Sequence, residues 1–309
     1  MSATTTVILG GGFGGISAAN TLRGLLPAGH EIVVVDESPR FHVGAGKTWI
    51  MLGERTYDEI SQAREALLAP GVRFVEEKAQ GIGLSDRSVS LPSGSLKWDF
   101  LVIALGADLN PAKVPGLAEA AHTFYTVEGA QRLKVALERF PGGDVAILIP
   151  KVPFKCPPAP YEAALLLHHA FERRGLAGKA RLAIHTAEGA PMATAGPEMG
   201  QYIKGELAQR GIAFFPQRST SRVDGTARRL VFEDGSEAPY DLLIAIPPHE
   251  APKVVRDAQL TNQSGWIPVD PRTLEVKQPP DARDVYAVGD VTVVPLPGRY
   301  KPDVGLSLP

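Results

Sequence analysis

Cys156 is the one cysteine in a chain of 309 residues, and it stands in Lys151-Val152-Pro153-Phe154-Lys155-Cys156-Pro157-Pro158-Ala159-Pro160-Tyr161-Glu162. Two lysines precede it, and the pattern predicts a helix beginning near Tyr161. Cations and a helix N-terminus both favour thiolate over thiol, and the thiolate is the nucleophile. The prolines at 157, 158 and 160 lack N–H donors and fix φ, so they hold the loop in one shape. A plainer role stays open, because a lone cysteine also serves as a small buried apolar residue. Glu162 could accept a proton near the thiol or, in the first turn of a helix, meet the helix dipole. His168, His169, His185 and His249 have no Cys, His or carboxylate companion at ligand spacing, so no metal is expected.

A second set of residues points to nucleotide binding. Gly10, Gly12 and Gly15, within Gly10-Gly11-Gly12-Phe13-Gly14-Gly15, fit G-x-G-x-x-G. One glycine serves the tight turn, one lets the backbone approach a pyrophosphate, and one lets helix pack on strand. A helix N-terminus then offers N–H groups and a positive dipole end to the phosphates. Asp36 ends the next apolar strand, at the spacing where a carboxylate accepts a hydrogen bond from a ribose hydroxyl. Two further strand ends join this set. Phe100 to Leu105 is a continuous apolar run entering Gly106, which makes Ala104 and Gly106 a second approach to the nucleotide. Val285 to Val288 runs into Gly289-Asp290, suited to a sugar hydroxyl with a following helix N-terminus for a phosphate, or to a plain N-cap.

These residues need elements to carry them. The alternation of apolar strands and helical spacing predicts an α/β fold. Strands fall near 7–9, 31–35, 72–75, 88–91, 96–99 and 100–105, with helices from Ile16 and over Tyr57 to Leu68. Phe41 to Met51, which contains Lys47, has the composition of a loop, lying against a flat ring or carrying a packed tryptophan. A proline- and glycine-punctuated connector at 110–117 opens a second α/β unit. There a helix from Val127 to Phe140 precedes the buried strand Asp144 to Ile149. A dinucleotide-binding half would show a second G-x-G-x-x-G next, but Pro150 to Glu162 contains no glycine. The second half is thus expected to have the architecture without a nicotinamide cradle. The expected domains are 1–110 with 250–309, and 111–249.

Composition narrows the partners. Apolar residues make up 44% and charged residues 21%, with a formal net charge of −2, so nothing favours nucleic acid. No apolar run approaches the length that spans a bilayer. The N-terminus lacks the charged and apolar regions of a signal peptide, so a cytoplasmic location is expected.

Together these motifs resemble the two-dinucleotide-domain flavoproteins, the FAD-dependent pyridine nucleotide-disulfide oxidoreductase family with its glutathione-reductase-like fold. Cys156 to Glu162 in place of the glycine loop, Gly265 to Asp270, and Tyr300 to Pro309 resemble its sulfide-oxidising branch. That branch comprises sulfide:quinone oxidoreductases and the flavoprotein of flavocytochrome c sulfide dehydrogenase. The resemblance implies two Rossmann-like domains with a discontinuous FAD domain, and FAD held by the glycine turn, Asp36, Lys47, Ala104, Gly106, Gly289 and Asp290. It also implies sulfide oxidation at Cys156 next to the flavin, with electrons passed to a quinone or a c-type cytochrome. The cytochrome-coupled members attach FAD through a cysteine in the region of Phe41 to Ile50, and none stands here, so FAD is expected to be non-covalent. Family members pair the Cys156-like residue with a second redox cysteine, which this chain lacks. They also continue past position 309 into a part that, in the quinone reducers, docks on the membrane, so any membrane contact is expected through such a segment. An NAD(P)H-dependent quinone or disulfide reductase and a non-catalytic flavin-binding relay module are the rival readings.

Overall fold

The computed structural model describes residues 4–294; Tyr300 to Pro309, where part of the resemblance lies, is outside the described residues. The chain divides into two compact units. The first holds 4–41, 61–108 and 250–294, and the second His42–Ile60 and Leu109–His249.

The first unit is built on a parallel sheet in the order Val285–Ala287, Phe100–Ile103, Thr5–Leu9, Glu31–Asp36, Val72–Glu76. Val7 to Leu9 of its central strand are apolar and fully buried because both faces are covered. Ile8 packs with Ile32, Val34, Val102 and Ala19 of helix Phe13–Leu25 on one side. Val7 and Leu9 pack with Leu101, Ile103, Val255 and Trp266 on the other. The strand order places a topological switch point beside Thr5–Leu9, because the chain first builds Glu31–Asp36 and Val72–Glu76 on one side and then crosses back to Phe100–Ile103 on the other. In open α/β sheets ligands bind at the carboxyl ends of the strands at such a point.

The second unit repeats the plan with a parallel sheet in the order Ala213–Phe215, Ala180–Thr186, Gly143–Ile149, Leu242–Ala245. Thr126 caps helix Val127–Arg139 by accepting the Gly129 N–H at 2.9 Å, an arrangement that satisfies an otherwise unpaired donor. Leu133, Leu167 and Phe171 from the helices close over Ile147, Ile184 and Ile244 of the sheet.

Three local expectations are corrected. Phe41 to Met51 is not wholly loop: Gly44–Gly46 is a 3-10 turn leading into helix Lys47–Leu52. The helix buries Ile50 and Met51 in the second unit's core and ends on Gly53 in the left-handed region, φ 76°, as glycine termini do. Tyr57 to Leu68 is not one helix but two 3-10 turns, Asp58–Ile60 and Glu65–Leu67, flanking strand Ser61–Ala63. The apolar spacing there was real, but the buried Arg64 in its midst directs the backbone to fixed acceptors. Finally, no helix follows Asp290 among the described residues. Gly289 accepts the Thr292 N–H at 2.9 Å in a turn, and Thr292–Val293 pairs with Ile267–Pro268.

Candidate functional site: a nucleotide crevice and a cysteine loop

In the first unit, the glycine turn leaves Thr5–Leu9 at its carboxyl end. Gly10 has φ 95° and donates its N–H to the Val35 carbonyl at 2.8 Å. A Cβ there would collide with the Ala104 carbonyl, and one on Gly15 with the Gly10 carbonyl. These two glycines are therefore required by the protein's own backbone. Gly14 sits 3.0 Å, measured from an ideal Cβ, from a Val288 methyl. Gly12 differs, since a Cβ there meets nothing within 4 Å. It is the N-cap of helix Phe13–Leu25 and offers no side chain to the first turn. Open space at a helix N-terminus without a side-chain cap fits a phosphate group.

Asp36 completes the turn. Its Oδ2 accepts the Gly11 N–H at 2.7 Å and its Oδ1 the Ser38 N–H at 2.9 Å. Ala104 donates to the Leu9 carbonyl at 2.7 Å, and Gly106 and Gly289, at φ 69° and 82°, both face open space. Phe13, 66% exposed, packs edge-on against Phe41 at 4.9 Å. Gly10 to Gly15, Asp36, Ala104, Gly106, Gly289 and Asp290 thus all leave strands of one sheet at the same end. This crevice fits an ADP-containing dinucleotide such as FAD. Sequence reasoning missed one member, Arg64, whose guanidinium is buried and reaches both the Gly11 carbonyl and Asp36. The available signal was Gly11, a glycine that the motif does not demand.

Lys47 belongs to the second unit, with the cysteine loop. Cys156 is exposed, so it is not the small buried residue that a lone cysteine could have been. It takes φ 56°, a left-handed conformation uncommon outside glycine and asparagine. Its carbonyl accepts the Ala159 N–H at 3.0 Å at the start of helix Ala159–Arg173. Tyr125 donates its hydroxyl to the Lys155 carbonyl at 2.9 Å, tying the loop down from outside. Lys151 turns to Glu233, at 3.3 Å. Lys47, distant in sequence and expected above to hold FAD, lies within electrostatic reach of Lys155 and Cys156. Burial and the Lys155 ammonium pull the Lys47 pKa down to about 8, and Cys156 raises it in part. Nothing in the local sequence announces that pairing.

His249 lies against Tyr125, ring centroids 5.6 Å apart. It is buried, and neither ring nitrogen completes a hydrogen bond; the Pro247 carbonyl acts on it through a contact short of that geometry. Burial and Lys155 hold its pKa down to about 4, so the ring is neutral at pH 7. Glu162 is exposed in the first helical turn. His168 lies 3.6 Å from Glu172 one turn on. Among the described residues no group of His, Cys, Asp and Glu could hold a metal.

In this unit the end of Ala180–Thr186 corresponds to the strand end that carries Asp36 in the first. Glu188 stands there. It accepts hydrogen bonds from the Thr186 hydroxyl, at 3.1 Å, and from Tyr161. Burial raises its pKa. Tyr161, 1% exposed, thus fills the helix start where a dinucleotide site has glycine. No glycine turn follows Gly143–Ile149 to cradle a second pyrophosphate.

Residues 4–148 match the family model of the pyridine nucleotide-disulphide oxidoreductases. Residues 130–247 match the central part of the flavoprotein chain of sulfide dehydrogenase [flavocytochrome c]. The chain belongs to the pyridine nucleotide-disulphide oxidoreductase family, in the branch of sulfide:quinone oxidoreductases and flavocytochrome c flavoproteins. It is 25% identical over 301 residues to the mitochondrial sulfide:quinone oxidoreductase of Mus musculus, covering 94% of this chain and 66% of that protein. With the sulfide-quinone reductase of Aquifex aeolicus it shares 26% over 309 residues, covering 94% and 68%. The X-ray structure of the Aquifex aeolicus sulfide:quinone oxidoreductase matches with a TM-score of 0.83 at 27% identity, over 95% of this chain and 70% of that one. The expected α/β fold with two dinucleotide-type domains is therefore the fold of this chain. The chain spans about two thirds of the length of these relatives. Among the described residues no helix is long and apolar enough to cross a membrane.

Proposed function

We propose that this chain is an FAD-dependent oxidoreductase that oxidises sulfide at Cys156 and passes the electrons to a quinone. The observation that carries this reading is the cysteine loop: an exposed Cys156 on a glycine-free turn, with Lys47 and Lys155 in electrostatic reach. Hydrosulfide is an anion near neutral pH, and two ammonium groups draw it toward the sulfur that is to receive it. Cys156 then carries the substrate sulfur as a persulfide. Two electrons leave the sulfur pair as the S–S bond forms, and the thiol proton is released. Asp36, the glycine turn and the helix N-terminus of Phe13–Leu25 would hold FAD by its ribose and pyrophosphate. Bound there, FAD supplies a two-electron acceptor that a quinone can reoxidise.

FAD is held without a covalent bond, in keeping with the absence of cysteine from Phe41 to Ile50. A quinone acceptor is favoured by the names of the relatives that match over most of the chain. The flavocytochrome c model over 130–247 favours a c-type cytochrome as the second reading. The test is made on FAD-loaded protein. Acid should release all flavin into the supernatant, and sulfide-reduced protein should be reoxidised by a short-chain quinone faster than by cytochrome c. Flavin that stays with the precipitate, or reoxidation by cytochrome c alone, would turn the assignment to the second reading.

A further inference from the structure

Arg64 is 5% exposed and lies between strand Ser61–Ala63 and the 3-10 turn Glu65–Leu67. Its guanidinium reaches four residues of the first unit, Gly11, Asp36, Ser38 and Arg40. Nη1 donates to the Gly11 carbonyl. Nη2 donates to the Arg40 carbonyl at 3.0 Å and pairs with Asp36 Oδ1 at 3.2 Å. Nε donates to the Ser38 carbonyl at 2.9 Å. A buried guanidinium is costly unless its fork is satisfied in this way. The crevice also explains why a cation belongs there. A carboxylate that accepts ribose hydroxyls stands close to a pyrophosphate of its own sign, and an adjacent arginine offsets that repulsion. Gly11 is part of the same device, because a Cβ on it would collide with Arg64 Cδ and lie 2.9 Å from Nη1.

We infer that Arg64 is a positioning residue for the adenosine-diphosphate half of FAD, strapping the phosphate turn to Asp36, and that residue 11 is glycine to admit it. This rests on the reading that the crevice takes FAD. With Oδ1 held by Ser38 and Arg64 and Oδ2 by Gly11, the carboxylate has one orientation, and Oδ2 retains an acceptor position for a hydroxyl.

Titration calorimetry of FAD and of ADP into flavin-free protein tests this. Arg64→Ala should weaken both ligands by about 10- to 100-fold, as expected for losing hydrogen bonds to a charged group. Arg64→Lys should recover part of the loss, keeping the charge but not the fork. Gly11→Ala should weaken both ligands in the parent and add nothing in the Arg64→Ala background. If Arg64→Ala does not fold, Arg64→Lys and Gly11→Ala carry the comparison, each expected to lose affinity. FAD and ADP affinities unchanged in folded Gly11→Ala and Arg64→Lys, whatever their melting temperatures, would overturn the inference. So would losses from Gly11→Ala and Arg64→Ala that simply add. A parent that binds neither FAD nor ADP would overturn both this inference and the FAD reading.

Discussion

Lys47 gives the cysteine loop a pH dependence whose sign can be worked out. Its pKa, brought to about 8 by burial and by Lys155, leaves it an ammonium at pH 7 and a neutral amine above pH 9. The attraction it offers an anion at Cys156 is therefore present below pH 8 and lost as pH rises through it. Lys47→Met should slow alkylation of Cys156 by iodoacetamide at pH 7 by about 3- to 10-fold, the usual scale for removing a cation from a thiolate. The gap should narrow above pH 9, while Lys47→Arg, charged at both ends, should match the parent rate at pH 7 and exceed it above pH 9. Equal rates for Lys47→Met and parent at pH 7 would remove Lys47 from the site. The same depressed pKa costs folding stability below pH 8, and the cost is relieved between 8 and 10.5, because over that window the unfolded chain binds the extra proton. The urea midpoint of the parent should gain on that of Lys47→Met across the same window.

At the scale of elements, the prediction about the reductant rests on the turn after Gly143–Ile149. Tyr161 at the helix start and Glu188 at the next strand end are hydrogen-bonded to each other, and both are held in their neutral-favouring surroundings by burial. The turn carries a buried tyrosine and no glycine, so it offers no glycine cradle to a pyrophosphate. NADH and NADPH should therefore leave the flavin absorbance unchanged over seconds of anaerobic mixing. Rapid bleaching by NADH would mean that this turn opens to a dinucleotide. The missing glycines were legible in the sequence, but the Tyr161–Glu188 pair was not, since the residues are remote in sequence and meet only through the fold. The first unit was the more legible, because its turn chemistry is local: Gly10 and Gly15 are required by backbone contacts within the motif's own neighbourhood. Arg64 escaped notice because apolar spacing around it mimicked a helix, and its partners lie 24 to 53 residues away. The helix Lys47–Leu52 was hidden by the glycines before it, which form a 3-10 turn rather than a loop.

For the whole molecule, the two units separate the residues that the proposed function uses. The first contains the glycine turn, Asp36 and the other crevice residues, the second contains Cys156, and the proposed function assigns FAD to the one and the sulfur chemistry to the other. The central claim is that this thiol is the route by which sulfide reduces the flavin. The most direct measurement is anaerobic stopped-flow mixing of sulfide with FAD-loaded parent and Cys156→Ser proteins, followed by flavin absorbance. The serine variant should bind FAD as the parent does, should be reduced by dithionite, and should be reoxidised by quinone at the parent rate. Its reduction by sulfide should be slower by several orders of magnitude, the loss expected when a covalent nucleophile is removed. Sulfide bleaching of the serine variant at the parent rate would contradict the account.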